Sequence, residues 1–217
     1  MTTTILMTGF APFGGDTVNP SWEAVRALDG AIAAPGATIV ARCLPCEFGA
    51  ARRALHDFVA ETGASIVICV GQAGGRPDIS VERIAINVDD ARIPDNAGQS
   101  PVDVPVVHGG PAAYFSTLPI KAIVQQLREA GIPASVSQTA GTFVCNHVFY
   151  GLMHAQHAMP RVTRAGFIHI PYLPGQAVNQ PGAPSMPLAF VTQGLLLAAQ
   201  VAVTAAQDVQ IAGGATH

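Results

Sequence analysis

"SIVICV", residues 65–70, decides the fold. A strand with one wet face alternates apolar and polar residues, whereas this run is apolar and β-branched almost throughout. It needs cover on both faces, as in a sheet with helices on either side. Working outward, "TTILMTG" (3–9), "TIVARCL" (38–44), "PASVSQ" (133–138) and "GFIHIP" (166–171) read as companion strands. Helical patterns lie between them. Asn19-Pro20 starts a helix with Trp22, Val25 and Leu28 on one face, and a second helix runs from about Phe48 to Glu61 and stops at Gly63. "TLPIKAIVQQLREAG" (117–131), a segment opening at Cys145, and the apolar stretch from Leu188 supply three more. This alternation predicts an α/β chain, a single-domain three-layer α/β/α sandwich with a largely parallel twisted sheet. One domain is expected over residues 1–208, with a loose tail over 209–217.

Composition narrows the function classes. Of 217 residues, 49% are hydrophobic and 12% charged, which suits a sizeable buried core. A net charge of -3 with scattered Lys and Arg gives no basic face, so no nucleic-acid partner is expected. The stretch from Leu188 to Ala206 is apolar, but Thr192, Gln193, Gln200 and Thr204 interrupt it. A buried C-terminal helix is expected there and no membrane partner. The start, "MTTTILMTGF", has neither a basic region nor a long apolar one, so a cytoplasmic protein with four free thiols is expected.

Residues 71–115 are rich in Gly, Pro, Asp and Asn, yet contain the patterned "RIAINVDDAR". An irregular stretch of this length inside a compact domain points to an ordered functional insertion. In parallel α/β sheets, sites gather beyond the carboxyl ends of strands. Four loops are expected to converge on that rim: "TGFAPFGG" (8–15), "GQAGGR" (71–76), "TAGTFVC" (139–145) and "HIPYLPG" (169–175). No Gly-rich nucleotide motif of standard spacing is present, so no cofactor is expected.

Cys145 stands out among the cysteines because it opens a helix. A free thiol with a pKa near 8.5 is only about three per cent ionised at pH 7, and a helix N-terminus favours the anion. Full ionisation is worth only about 2 kcal/mol, so amide chemistry also requires a base and an oxyanion site. The alternative is a buried structural cysteine. His147 lies two helical residues away and cannot face the thiol. With His154 and His157 it reads as a polar helix face, with no acidic residue to make a metal site. His169, near a strand end, approaches the Cys145 helix across the rim and is the best base. The acid that orients it is open among Asp78, Glu82, Asp89, Asp90, Asp95 and Asp103. "CLPC" (43–46) is a lone pair without zinc spacing, and its cysteines read as incidental.

"TGFAPFGG…NPS", "GQAGGR", "ERIAINVDDARIPDN", "TAGTFVCN" and "GFIHIPYLP" together resemble the pyroglutamyl peptidase I family of cysteine peptidases, from about Ile5 to the final helix. The resemblance implies an α/β/α enzyme that removes an N-terminal pyroglutamyl residue from peptides without metal or cofactor. It implies Cys145 as nucleophile, His169 as base and Glu82 as the orienting acid. It further implies that Phe10, Phe13, Gln72, Phe143 and Val144 line the substrate region, with Asn19 and Arg92 nearby. Homo-oligomers such as tetramers are also implied. The rival readings are a thiol amidase with another acyl specificity and a redox or small-molecule-binding module built on "CLPC".

Overall fold

The computed structural model describes residues 2–215. Along the chain run β1 (Thr3–Phe10), α1 (Pro20–Arg26), β2 (Ile32–Ala34), β3 (Ala37–Leu44), α2 (Ala50–Thr62), β4 (Ile66–Gln72), β5 (Ile79–Glu82), β6 (Ile84–Ile86), β7 (Ala113–Phe115), α3 (Ile120–Glu129), β8 (Ala134–Ser137), α4 (Val144–Gln156), β9 (Arg164–Ile170), α5 (Pro174–Ala177) and α6 (Leu188–Thr204). The main sheet has the order β2-β3-β1-β4-β9-β5-β8, and β6 pairs with β7 in a small separate sheet.

Alternation along the central strands explains the layers. Ile5 and Met7 of β1, Ile66, Ile68 and Val70 of β4, and Ile168 and Ile170 of β9 enter one core, with α1, α3 and α6. Leu6 and Phe10, Val67 and Cys69, and Ala165 and Phe167 enter the other, with α2 and α4. The sheet therefore has helices on both faces, the three-layer α/β/α arrangement. The ends of α1 and α2 follow local chemistry. Asn19 caps α1 by accepting from the Ser21 amide at 3.0 Å, ahead of Pro20 in the first turn. Gly63, with φ of 60°, closes α2 in the left-handed conformation. Val191, Gly194, Leu195, Ala198, Ala199 and Ala202 bury one face of α6, and no described helix is long and apolar enough to cross a membrane.

Strand direction differs from a single shared rim. β3, β1, β4 and β9 are parallel, but β5 is antiparallel to β9, and β8 follows β5. The loop "TAGTFVC" therefore follows a strand of opposite direction and does not share a rim with the other three. It still reaches them because the β5–β9 pairing is short, with only Ser80 opposite His169 and Val81 opposite Ile168. Glu82, the last residue of β5 and one beyond that pairing, ends level with Phe167 in the middle of β9.

The insertion is ordered by side chains that imitate a sheet edge. Asn146 of α4 accepts from the Ile86 amide and donates to the Ile86 and Val88 carbonyls, at 2.9–3.0 Å. Asp95 accepts from the Phe48, Ala97 and Gln99 amides, and Asn87 closes a two-way pair with Val107. Of the stretch expected to be loose, 216–217 lie outside the described residues. Just before it, Asp208 accepts from the amides of Lys121 and Ala122 at the start of α3, and within it the Gly213 carbonyl accepts from Arg83.

Candidate active site

Gly71, near the end of β4, is the centre of the site. It sits opposite His169 in the parallel ladder. A Cβ at Gly71 would lie 2.8 Å from the Cys145 sulfur and 2.9 Å from the Phe167 ring. Only a residue without a side chain lets the thiol at the start of α4 settle over this part of the sheet. Cys145 and His169 line one cavity of about 300 Å³.

His169 is buried, and its Nδ1 lies 2.7 Å from Glu82 Oε1. An ionised carboxylate only accepts, so Nδ1 carries the proton and Nε2 is left with a free lone pair. Glu82 is fully buried. Its Oε1 also accepts from Arg76 Nη1 at 2.6 Å, and Arg76 reaches Ser137 Oγ at 3.2 Å and the Thr139 carbonyl at 2.8 Å. Sequence reasoning passed over Arg76. Its only signal was a cation closing "GQAGGR", six residues before the acid. Among the acids spacing left open, Asp78 accepts from Ser80, Asp89 pairs with His147 and Asp95 holds a turn, so the histidine on the cavity meets Glu82.

Burial pushes the Cys145 thiol well above its ordinary range. The neighbouring Cys46, Glu82 and Cys69 add to this, and Arg76 opposes it. Burial also lowers His169, with Glu82 opposing and Arg76 adding. Both shifts favour the uncharged forms, a thiol and a neutral imidazole. The helix start favours the anion, and burial acts against it.

Phe10, Phe13, Asn19, Gln72 and Phe143 line the same cavity, joined by Cys46, Ala73, Gly74, Arg76, Ala140 and Gly141. The rings of Phe13 and Phe143 lie 6.1 Å apart, and Phe48 meets Phe143 edge-on at 5.3 Å. Asn19 is committed twice: besides capping α1, its Nδ2 donates to the Ala11 carbonyl and so holds the Phe10–Phe13 loop. Two residues fall elsewhere. Val144 is fully buried in the core beneath α4, since the first helical residue turns its side chain toward the sheet. Arg92 is exposed and does not line the cavity.

His147 corrects another expectation. It is buried rather than part of a polar face, and an acid does join it: Nδ1 lies 2.8 Å from Asp89 Oδ2, while Nε2 accepts from the Gly49 amide at 2.9 Å. His154 instead bonds the Tyr114 hydroxyl. Cys46 is also better placed than "incidental" implied, because it lines the cavity, whereas Cys43 does not. All four cysteines are free. Among the described residues, no three His, Cys, Asp or Glu side chains are grouped to hold a metal ion. A larger groove of about 390 Å³, between α2 and α4, is lined by Arg52, His56 and His154 among others and contains none of Cys145, His169 and Glu82.

A thiol over a sheet glycine, sharing a cavity with an imidazole held from behind by a buried carboxylate, is the constellation of a thiol hydrolase on an α/β/α sandwich. A family model described as "Pyroglutamyl peptidase" matches residues 3–205. The chain belongs to that family of cysteine peptidases. It is 62% identical to a pyrrolidone-carboxylate peptidase of Klebsiella pneumoniae, over 98% of this chain and 99% of the relative. To one of Escherichia fergusonii it is 61% identical, over 99% of each. The crystal structure of pyroglutamyl peptidase I from Bacillus amyloliquefaciens superposes with a TM-score of 0.94 at 50% identity, covering 98% of this chain and 100% of that one.

Proposed function

We propose that this chain removes the N-terminal pyroglutamyl residue from peptides, with Cys145 as nucleophile, His169 as base and then acid, and Glu82 as the group that orients His169. The observation that carries this reading is the His169–Glu82 contact opening onto a cavity shared with Cys145. His169 Nε2 takes the thiol proton as the sulfur attacks the carbonyl that follows the lactam ring. The first amides of α4, which no side chain caps, face the developing oxyanion. Collapse releases the peptide amine with the proton from His169. Water, activated by the same imidazole, then hydrolyses the thioester to free pyroglutamate. Arg76 offsets the cost of burying the Glu82 charge, which keeps an acceptor behind His169 in every step.

The walls fit a neutral ring. Phe10, Phe13 and Phe143 supply apolar contact, and Arg76, already paired with Glu82, is the only permanently charged side chain lining the cavity among the described residues. A peptide that starts with a free amine brings an ammonium with no carboxylate to receive it. The test is cleavage of pyroglutamyl-, glutaminyl- and prolyl-alanine. The pyroglutamyl peptide is expected to win by at least about a thousandfold. Comparable cleavage of all three sinks the assignment. Free thiols at all four cysteines support a reducing location such as the cytoplasm.

A further inference from the structure

Gln72, at the end of β4, lines the cavity, and its amide is held from outside by a chain of bonds. The Leu173 amide, just before α5, donates to Gln176 Oε1 at 3.1 Å. Gln176 Nε2 donates in turn to Asp16 Oδ2 at 3.1 Å and to Gln72 Oε1 at 3.2 Å. Each polarity in this chain is forced. A backbone N–H only donates and a carboxylate only accepts, so Gln176 has a single orientation that satisfies both. That orientation turns its nitrogen to Gln72, which must answer with oxygen. The Gln72 nitrogen is then directed away from Gln176.

We propose that Gln176 is a specificity-determining positioning residue: by holding the oxygen of the Gln72 carboxamide, it presents the Gln72 NH2 to the cavity as the donor for the lactam carbonyl. The proposal rests on the pyroglutamyl reading above. A free Gln72 amide presents either edge, and its oxygen edge would set acceptor against acceptor at the ring carbonyl. Held in one orientation, it rewards the carbonyl that separates pyroglutamate from proline. The loop after β1, the end of β4 and the short helix α5 contribute Asp16, Gln72 and Gln176, so the donor's polarity is decided by contacts between three distant segments.

The test is a double-mutant cycle on a pyroglutamyl anilide, reading kcat and KM separately. Gln176→Glu puts an oxygen where Gln72 needs a donor, so Gln72 reverses. KM is expected to rise about tenfold or more with kcat within about threefold, because the lost bond is made in the ground state as well as the transition state. Cys145 alkylation by iodoacetamide is expected to stay unchanged. In a Gln72→Leu background the same substitution is expected to change KM less than about twofold. An undiminished penalty in that background, or none in the wild-type background, overturns the relay. A wild-type enzyme inactive on the anilide would instead overturn the activity reading itself, which separates the two failures.

Discussion

Two buried histidine–carboxylate pairs sit on the same side of the sheet, and only one of them faces the cavity. His169–Glu82 and His147–Asp89 share the same contact, Nδ1 to carboxylate oxygen at 2.7 and 2.8 Å, and both rings are almost fully covered. They differ at the other nitrogen. His147 Nε2 accepts from the Gly49 amide, so both ring nitrogens are spent joining α4, the start of α2 and the insertion. His169 instead lines the cavity beside Cys145, and its carboxylate has Arg76 behind it. In the proposed mechanism, a histidine–acid pair is thus a fastener or a base according to what its second nitrogen meets.

The comparison is most easily broken at the nucleophile. Cys145→Ala is expected to lower kcat by about four to six powers of ten, since members of such a set act as a unit. Near-normal hydrolysis of a pyroglutamyl anilide by this variant ends the mechanism. Cys43→Ser and Cys46→Ser are expected to stay active, and Cys46→Ser is the sharper control because Cys46 shares the cavity.

The two histidines come next, and they should separate activity from stability. His169→Ala is expected to be nearly inactive, with a smaller fall in urea midpoint than His147→Ala because Arg76 still pairs with Glu82. His147→Ala leaves the Gly49 amide and the Asp89 carboxylate without their partner, which costs about 2–4 kcal/mol of stability. Its folded fraction is expected to keep kcat/KM within about tenfold. Loss of activity without loss of stability in His147→Ala would reverse the assignment of fastener and base.

Arg76 tests the charge behind the base. Burial and Arg76 both hold His169 below its ordinary value of 6.5, against Glu82, so the acid limb of kcat/KM is expected below that pH. The limb marks protonation of the imidazole, which removes the base. Arg76→Gln removes a cation that disfavours the imidazolium, so His169 rises and the limb moves to higher pH. The same substitution removes the one charge that lowers the Cys145 thiol, so the thiol rises further. Ser137→Ala removes a contact of Arg76 but no charge, and its limb is expected to stay in place. An equal loss at every pH in Arg76→Gln would reduce Arg76 to a structural role.

The smallest effect concerns the wall. Phe13 packs against Phe143 in the cavity wall, and Phe13→Ala is expected to raise KM for a pyroglutamyl anilide by about tenfold through lost apolar contact. The rate of Cys145 alkylation should not change. A fall in that rate would show that the ring supports the thiol rather than the substrate.

Much of this protein could be read from the chain alone. Runs such as "SIVICV" fixed a sheet covered on both faces, because backbone pleating sends alternate side chains to opposite layers whatever lies beyond. Asn19-Pro20 and Gly63 marked helix ends through bonds and dihedral angles that involve only their neighbours. Motif similarity selected Cys145, His169 and Glu82, but spacing alone left six acids in play. What only the tertiary structure decided was which groups meet. β5 runs against β9 and overlaps it at two residues, and that register brings Glu82 to His169 across 87 positions of sequence. The burial of His147 against Asp89, the cation of Arg76 behind Glu82 and the hold of Gln176 on Gln72 were equally hidden. Local pattern is set by near neighbours along the chain. Protonation and hydrogen-bond polarity are set by dielectric and partner, and both come from residues that sequence order does not place side by side.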